Sequence, residues 1–253
     1  MADPFASSRR AITRARKHID DLKRKVDIFF ARDDLYEPFI EPHPKNPGCT
    51  ILKVRFTQDL PEEFSEITSE ALTMLRLSLD HAVYSVAIAA GNTPKIGDAC
   101  FPFARNAAHF EASLKGRCAQ VPPEMYDLFR RCKPYEGGNE PLWALNVTRG
   151  FTHAMLVPGV TTAFIGGMDI RGMGWISMPL KPVMDSKHEM ELCTLAPQAA
   201  VQGKYQLAVY VAFGEVGSVA GKNVGEVLEL FIKLVETIVN EIEAETRRLG
   251  FIK

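Results

Sequence analysis

The sequence predicts an α+β fold, with an antiparallel sheet packed against three long helices in a single domain, residues 1–253. Apolar residues recur at helical spacing in three long stretches, residues 6–32, 62–91 and 224–249. Between these stretches lie shorter apolar or alternating segments bounded by proline and glycine, a pattern typical of strands. The composition, 46% apolar and 24% charged, is that of a globular protein.

The first helix, residues 6–32, combines one apolar stripe with a basic exposed surface. One interpretation is that this surface binds phosphate groups; the other is that it is a solvated face, or that it docks on an acidic partner. The phosphate-binding candidates are Arg9, Arg10, Arg14 and Lys17.

Two strands, residues 36–40 and 50–56, follow as a hairpin around a proline-rich turn. The central helix begins after Pro61, with acidic residues in its first turn, and ends at Gly91. Two of its faces are apolar or small, so we expect it to be packed on both sides and to lie innermost in the fold.

The second half of the chain is predicted to contain short helices, then strands, then a long acidic helix. The short helices are expected at residues 105–114, 123–132 and 142–151, and the strands at 161–165, 175–178, 188–195 and 205–213. Because the first helix is basic and the last is acidic, we expect the two to pair, either within one chain or across a homodimer.

Composition and motifs exclude several functions. The five cysteines are scattered without C-x-x-C spacing, which argues for reduced thiols in a cytoplasmic protein. With a net charge of −1 and no apolar run approaching ~20 residues, we expect no membrane span. The segment 214–223 lacks the spacing of a Walker A loop. His188 would point away from Glu189 and Glu191 on a strand, and we expect neither a metal nor a cofactor.

The chemically suggestive residues lie on the central helix: Arg76, Asp80 and His81. Arg76 and Asp80 are i and i+4, about 40° apart around the helix, so they predict a salt bridge that can extend to Tyr84. His81 is about 140° from Arg76, so an active site using both needs a second element, from His153 or from another subunit. Imidazole and guanidinium together suit RNA cleavage, by moving a proton and by stabilising charge on the phosphate.

The spacing RLSLDH, Arg76 to His81, resembles the R-x4-H motif of HEPN-type ribonucleases, helical proteins whose active site forms across a dimer. That resemblance implies a metal-independent ribonuclease. In this chain Leu77 follows the arginine, where HEPN proteins usually carry a polar residue.

A broader resemblance is to a family of bacterial proteins of similar length to which no activity is assigned. It rests on L-R-x-x-L-D-H (75–81), F-P (101–102), P-Y-x-G-G (134–138) and P-L-W-x-L (141–145). Where that family shows D-K-H-R, this chain reads FTHA, and His153 matches the histidine. The resemblance implies a fold but no activity.

Two functions therefore stay open. In the first, the protein is a non-catalytic binding or scaffold protein, and Arg76, Asp80, His81 and His153 form a buried polar network. In the second, it is a metal-independent ribonuclease or RNA-binding protein, with His81 and Arg76 at the phosphate and Asp80 orienting them. Buried polar groups on central helices favour the first.

Overall fold

The computed structural model describes residues 3–95, 97–148, 156–166, 169–171, 175–177, 185, 187–197, 199–202, 206–214 and 217–252. The chain divides into two compact units, each built from separate segments. Unit 1 comprises Met1–Lys23, Glu62–Met155 and Phe213–Lys253, and unit 2 comprises Arg24–Pro61 and Leu156–Ala212. The prediction that residues 1–253 form one domain stays a prediction.

The α+β class is confirmed, and so are the three long helices. In the described ranges the helices are α1 (Ala6–Phe30), α2 (Glu62–Ala89), α3 (Ala107–Arg117), α4 (Tyr126–Cys132), α5 (Glu140–Thr148) and α6 (Val224–Arg248). Their bounds differ from the predicted ones by a few residues, as helix ends fray.

Helix α2 is the most buried of the long helices in unit 1. Leu72, Leu75 and Leu79 are fully buried, and so is Ser78 on a second face. The helix ends where the chain turns at Gly91, whose φ of 86° suits glycine. With two faces packed, the few polar side chains on α2 must find partners inside the protein.

Helices α1 and α6 pair through their charges, as predicted, within one chain. Basic residues at every seventh position of α1 meet acidic residues at every seventh position of α6, and the order is reversed, so the two helices run antiparallel. The ion pairs are Arg9–Glu243, Arg16–Glu236 at 2.7 Å and Lys23–Glu229 at 2.6 Å. The opposite charges of α1 and α6 are therefore paired within one chain. A homodimer through the same helices stays a prediction.

The strands belong to unit 2, apart from Phe213 at the end of the last one. They are β1 (Tyr36–Pro42), β2 (Thr50–Phe56), β3 (Leu156–Gly166), β4 (Asp169–Arg171), β5 (Ile176–Ser177), β6 (Glu189–Leu195), β7 (Ala200–Gln202) and β8 (Gln206–Phe213). The described strands form a four-stranded sheet in the order β1-β2-β6-β5 and two pairs, β3-β8 and β4-β7. The hairpin of β1 and β2 is antiparallel from Tyr36↔Phe56 to Pro42↔Thr50, which confirms that prediction.

The core of the sheet is apolar. Leu52, Val54, Met190, Leu192 and Leu195 form one buried cluster.

Strands β4 and β7 were not predicted from the sequence, because three-residue strands carry too short a pattern to detect.

Candidate functional site

Arg76 is sealed inside unit 1. Only 4% of its side chain is exposed, and its Nη1 lies 2.5 Å from Oδ1 of Asp80. The guanidinium carbon lies 4.3 Å from the ring centroid of Phe103, in a cation–π arrangement. The predicted Arg76–Asp80 salt bridge is therefore present, and its arginine is stacked against an aromatic ring that the sequence did not link to it.

Asp80 connects helix α2 to the segment that follows it. Its Oδ1 accepts a hydrogen bond of 2.8 Å from the backbone N–H of Phe101. The carboxylate thus accepts a backbone hydrogen bond and pairs with a guanidinium, while 24% of the side chain stays exposed. This combination fixes the position of the buried Phe101 and Phe103 relative to the helix.

The segment 101–106 is held in turn by the loop after α4. Phe101 is fully buried and its ring lies edge-on to Phe129, with the centroids 5.9 Å apart. The backbone N–H of Ala104 donates to the carbonyl of Pro134 at 3.1 Å, and Asn106 forms a parallel β-bridge with Glu136.

Three of the four sequence blocks that carry the bacterial-family resemblance are linked in space through the segment 101–104. Asp80 contacts the F-P block itself through the N–H of Phe101, and Arg76 contacts Phe103, the residue after that block. The next residue, Ala104, donates a hydrogen bond to Pro134 of the P-Y-x-G-G loop. The fourth block places Leu142 and Leu145, both fully buried, in the core. These blocks build a core in this chain.

His81 lies on another side of α2 and does not contact this pair. Its Nδ1 is 2.9 Å from Oγ of Ser7 on α1. It lines a groove of about 420 Å³ together with Pro4, Ser7, Tyr84, Ser85 and Ile88; we refer to this as the His81 groove. Tyr84, predicted to extend the Arg76–Asp80 pair, lies instead in this groove with 46% of its surface exposed.

The serine hydroxyls beside His81 join α2 to α1 and to the residues just before it. Ser8 Oγ donates to the carbonyl of Ser78 at 2.8 Å, and Ser85 Oγ donates to the carbonyl of Pro4 at 2.7 Å. The small side chains let the two helices approach closely while each hydroxyl has a backbone acceptor. Ser7 and His81 are thus the outermost members of a hydrogen-bonded seam between helices.

The candidate residues therefore do not form one site. Arg76 and Asp80 face the segment 101–103, and His81 faces α1, in agreement with the angular separation predicted from helical geometry. His153 lies outside the described residues, so its predicted part in a network stays a prediction.

The four phosphate-binding candidates on α1 divide into two groups. Arg9 forms ion pairs with Asp3 and Glu243, and these carboxylates raise the pKa of its guanidinium. Arg10, Arg14 and Lys17 are exposed, and among the described residues no ion pair involves them.

The residues around His188, considered in the sequence as metal ligands, have structural roles. Glu189 pairs with Arg55 at 2.5 Å, and the hydrogen bond from Arg55 lowers the pKa of its carboxyl. The carboxylate of Glu191 accepts a hydrogen bond from the hydroxyl of Thr194, and Nδ1 of His188 lies 3.2 Å from Oδ1 of Asp59. The three residues considered as metal ligands therefore have separate partners. In the part of the chain that the structure describes, no group of three His, Cys, Asp or Glu residues is placed to hold a metal ion.

The glycine-rich segment before α6 serves as a helix start. Asn223, which replaces the hydroxyl residue of a Walker A loop, caps α6 by accepting from the backbone N–H groups of Gly225 at 2.8 Å and Glu226 at 3.3 Å. Those donors are the ones a phosphate would need.

Burial makes two of the five thiols poor nucleophiles. Burial raises the pKa of both Cys118 and Cys132 to about 12, which keeps them protonated near neutral pH. No cysteine in the described ranges is in a disulfide.

Sequence reasoning missed Phe103 and Ser7 as the partners of Arg76 and His81. The F-P block was a signal for the first, since it marks an apolar segment, but nothing in the spacing indicated that it lies against α2. The serines of α1 carried no signal at all.

Among the helices of the described ranges, none combines the length and apolar character needed to cross a bilayer. Comparisons with family models, with curated proteins and with solved structures found no match. The two resemblances drawn from the sequence are untested by these comparisons and stay predictions.

Proposed function

We propose that this chain is a non-catalytic binding protein in which Arg76 and Asp80 form a structural pair. One observation carries the proposal: the Arg76 side chain is only 4% exposed and is stacked on Phe103. A guanidinium that stabilises a phosphodiester must donate hydrogen bonds to it directly. A sealed guanidinium that already faces a carboxylate offers no surface for that contact.

The placement of His81 supports the same proposal. A general base must lie within hydrogen-bonding reach of the proton that it moves, and the groups that stabilise the developing charge must converge on the same atom. His81 faces Ser7 on α1, on a different side of the helix from the pair. The two parts of the R-x4-H motif thus have separate structural roles.

A ribonuclease is the rival function, and one observation favours it: His81 is half-buried and lines an open groove. In that case the charge-stabilising group would have to be a residue other than Arg76, because Arg76 is not accessible. The proposed function and this rival give opposite results in one experiment.

The experiment measures cleavage of a labelled single-stranded RNA by the wild type and by His81→Ala, with the stability of both proteins measured in parallel. We expect no cleavage above that of buffer for either protein. We expect His81→Ala to lower the free energy of unfolding by ~1 kcal/mol, because the hydrogen bond to Ser7 is lost.

Ser7→Ala is the matched control, since it removes the same hydrogen bond and leaves the imidazole in place. We expect it to lower stability by a similar amount. RNA cleavage by the wild type and by Ser7→Ala, abolished in His81→Ala, would overturn the proposal and establish the ribonuclease.

A further inference from the structure

We propose that the outward face of α1 binds the phosphate backbone of nucleic acid through Arg10, Arg14 and Lys17, which we call the exposed basic row. The inference rests on the proposed function, since it supplies the class of partner for a non-catalytic binding protein. It depends on how the basic residues of α1 are divided between the inside and the outside of the protein.

The division follows from helical geometry. Arg9 and Arg16 face α6, where each pairs with a glutamate. Arg10 and Lys17 directly follow them in sequence, so they are rotated by about 100° around the helix axis. They point away from the acidic helix, and its carboxylates cannot compensate them.

The acidic charge of α6 is thus paired with one row of α1 and not with the other. Arg9, Arg16 and Lys23 each have a carboxylate partner on α6. Arg10, Arg14 and Lys17 are exposed and have no ion pair among the described residues. A basic helix needed only for docking on α6 would require the first row alone.

The exposed basic row is also unfavourable for the helix itself. Arg10 and Arg14 are i and i+4, and Arg14 and Lys17 are i and i+3, so neighbouring side chains repel. An anion bound along the row would relieve this repulsion.

The dimensions of the row fit a phosphodiester strand. From Arg10 to Lys17 the helix rises by about 10 Å. A strand of duplex nucleic acid carries one phosphate per ~3.4 Å of axis, so the row can contact two or three phosphates. Acidic residues, Asp20 and Asp21, follow the row along the helix, which limits the contact to this length.

The chemistry of the face favours nucleic acid over an anionic membrane. Thr13, the residue interleaved with the row, is exposed and polar, and its hydroxyl donates to the carbonyl of Arg9. The row therefore offers no apolar side chain for insertion among lipids, as an interfacial helix would. It also has no interleaved aromatic side chain for base stacking, so we expect binding without sequence preference.

The test measures the affinity of the full chain for a short labelled RNA strand, for a short labelled DNA duplex and for vesicles that contain an anionic phospholipid, at several salt concentrations. We expect wild-type binding to weaken as salt rises. In the triple variant R10A/R14A/K17A we expect at least tenfold weaker binding at low salt. The slope of log K against log salt should fall by about 2 to 3, since each phosphate that the variant no longer neutralises accounts for about 1.

The matched control is K115A/R117A/R131A, which removes the same charge from exposed residues elsewhere in unit 1. We expect it to keep the wild-type affinity and slope, and we expect circular dichroism to show both variants folded. The comparison of RNA with DNA identifies which phosphate backbone is preferred, and binding of either supports the proposal.

Three outcomes would overturn it: no salt-dependent binding of either nucleic acid, an equal loss of binding in the two triple variants, or binding only to vesicles that contain an anionic phospholipid. None of these affects the proposed function, which fails only if RNA is cleaved in a His81-dependent way.

Discussion

The Arg76–Asp80 pair predicts that the chemically milder substitution is the more damaging one. We compare Asp80→Asn with Arg76→Met. Asp80→Asn preserves shape and keeps a side-chain oxygen for the N–H of Phe101, whereas Arg76→Met removes the whole charged group. Side-chain size alone would rank Arg76→Met as the worse of the two.

The expected order follows from burial. In Asp80→Asn the guanidinium stays in a site with 4% side-chain exposure but no longer faces a carboxylate. Removing one partner of a buried ion pair typically costs about 3–5 kcal/mol, and because Asp80 is 24% exposed we expect the lower end, ~3 kcal/mol.

Arg76→Met should cost less, ~1–2 kcal/mol, because a methionine is apolar and flexible and packs favourably against an aromatic ring such as that of Phe103. Asp80 then keeps the hydrogen bond from Phe101, and its exposed part stays hydrated. No charge is left buried in this variant.

Urea denaturation followed by far-UV circular dichroism measures both variants and the double variant R76M/D80N. We expect the double variant to be more stable than Asp80→Asn alone, with a coupling energy of ~1–2 kcal/mol, because the buried charge has gone. If Arg76→Met is the more destabilising, or if the two changes are simply additive, the pair does not have the structural role assigned to it.

Two further predictions concern the α1–α6 pairing and the P-Y-x-G-G loop. The hydrogen bond from Lys23 lowers the pKa of Glu229 from its ordinary value of 4.5. The ion pair therefore stabilises the folded protein above pH 4.5, and this stabilisation is lost as the pH falls through the lower folded-state pKa of Glu229. We therefore expect Glu229→Gln to lower the free energy of unfolding by ~0.2–1 kcal/mol near neutral pH. In acid, the variant and the wild type should become equally stable; a difference in stability that persists there would refute the stabilising role of the ion pair. In the loop, a Cβ on Gly138 would lie 2.5 Å from the carbonyl oxygen of Lys133, so Gly138→Ala should cost at least ~2 kcal/mol. Gly116→Ala, in open space within α3, should stabilise the protein by ~0.5–1 kcal/mol. Equal effects of the two changes on thermal unfolding would show that the loop can rearrange to accommodate a Cβ at position 138.

Much of the secondary structure could be predicted because it depends on local periodicity. The three long helices have apolar stripes that repeat over many turns, and the hairpin of β1 and β2 has a clear turn between alternating segments. The pairing of a basic helix with an acidic one was also predictable, since charge composition is visible in the sequence. The register of that pairing was not.

The candidate site was only half predictable, because helical geometry relates residues of one helix and says nothing of what packs on them. The separation of His81 from Arg76 follows from the angle between them on α2. That Phe103 covers the guanidinium and Ser7 contacts the imidazole depends on segments far away in sequence. Exposure decides whether the same two residues are catalytic or structural, and exposure is a property of the packed chain.

The sequence by itself determined that the chain is α+β, that α2 is a helix with two packed faces, and that Arg76 and Asp80 are paired. The tertiary structure alone decided that Arg76 is sealed. It also decided that Arg9 and Arg16 form ion pairs with α6, while Arg10, Arg14 and Lys17 form no ion pair among the described residues. The physical reason is that a residue's charge and its helical position are local, while its solvation depends on which distant segment lies against it.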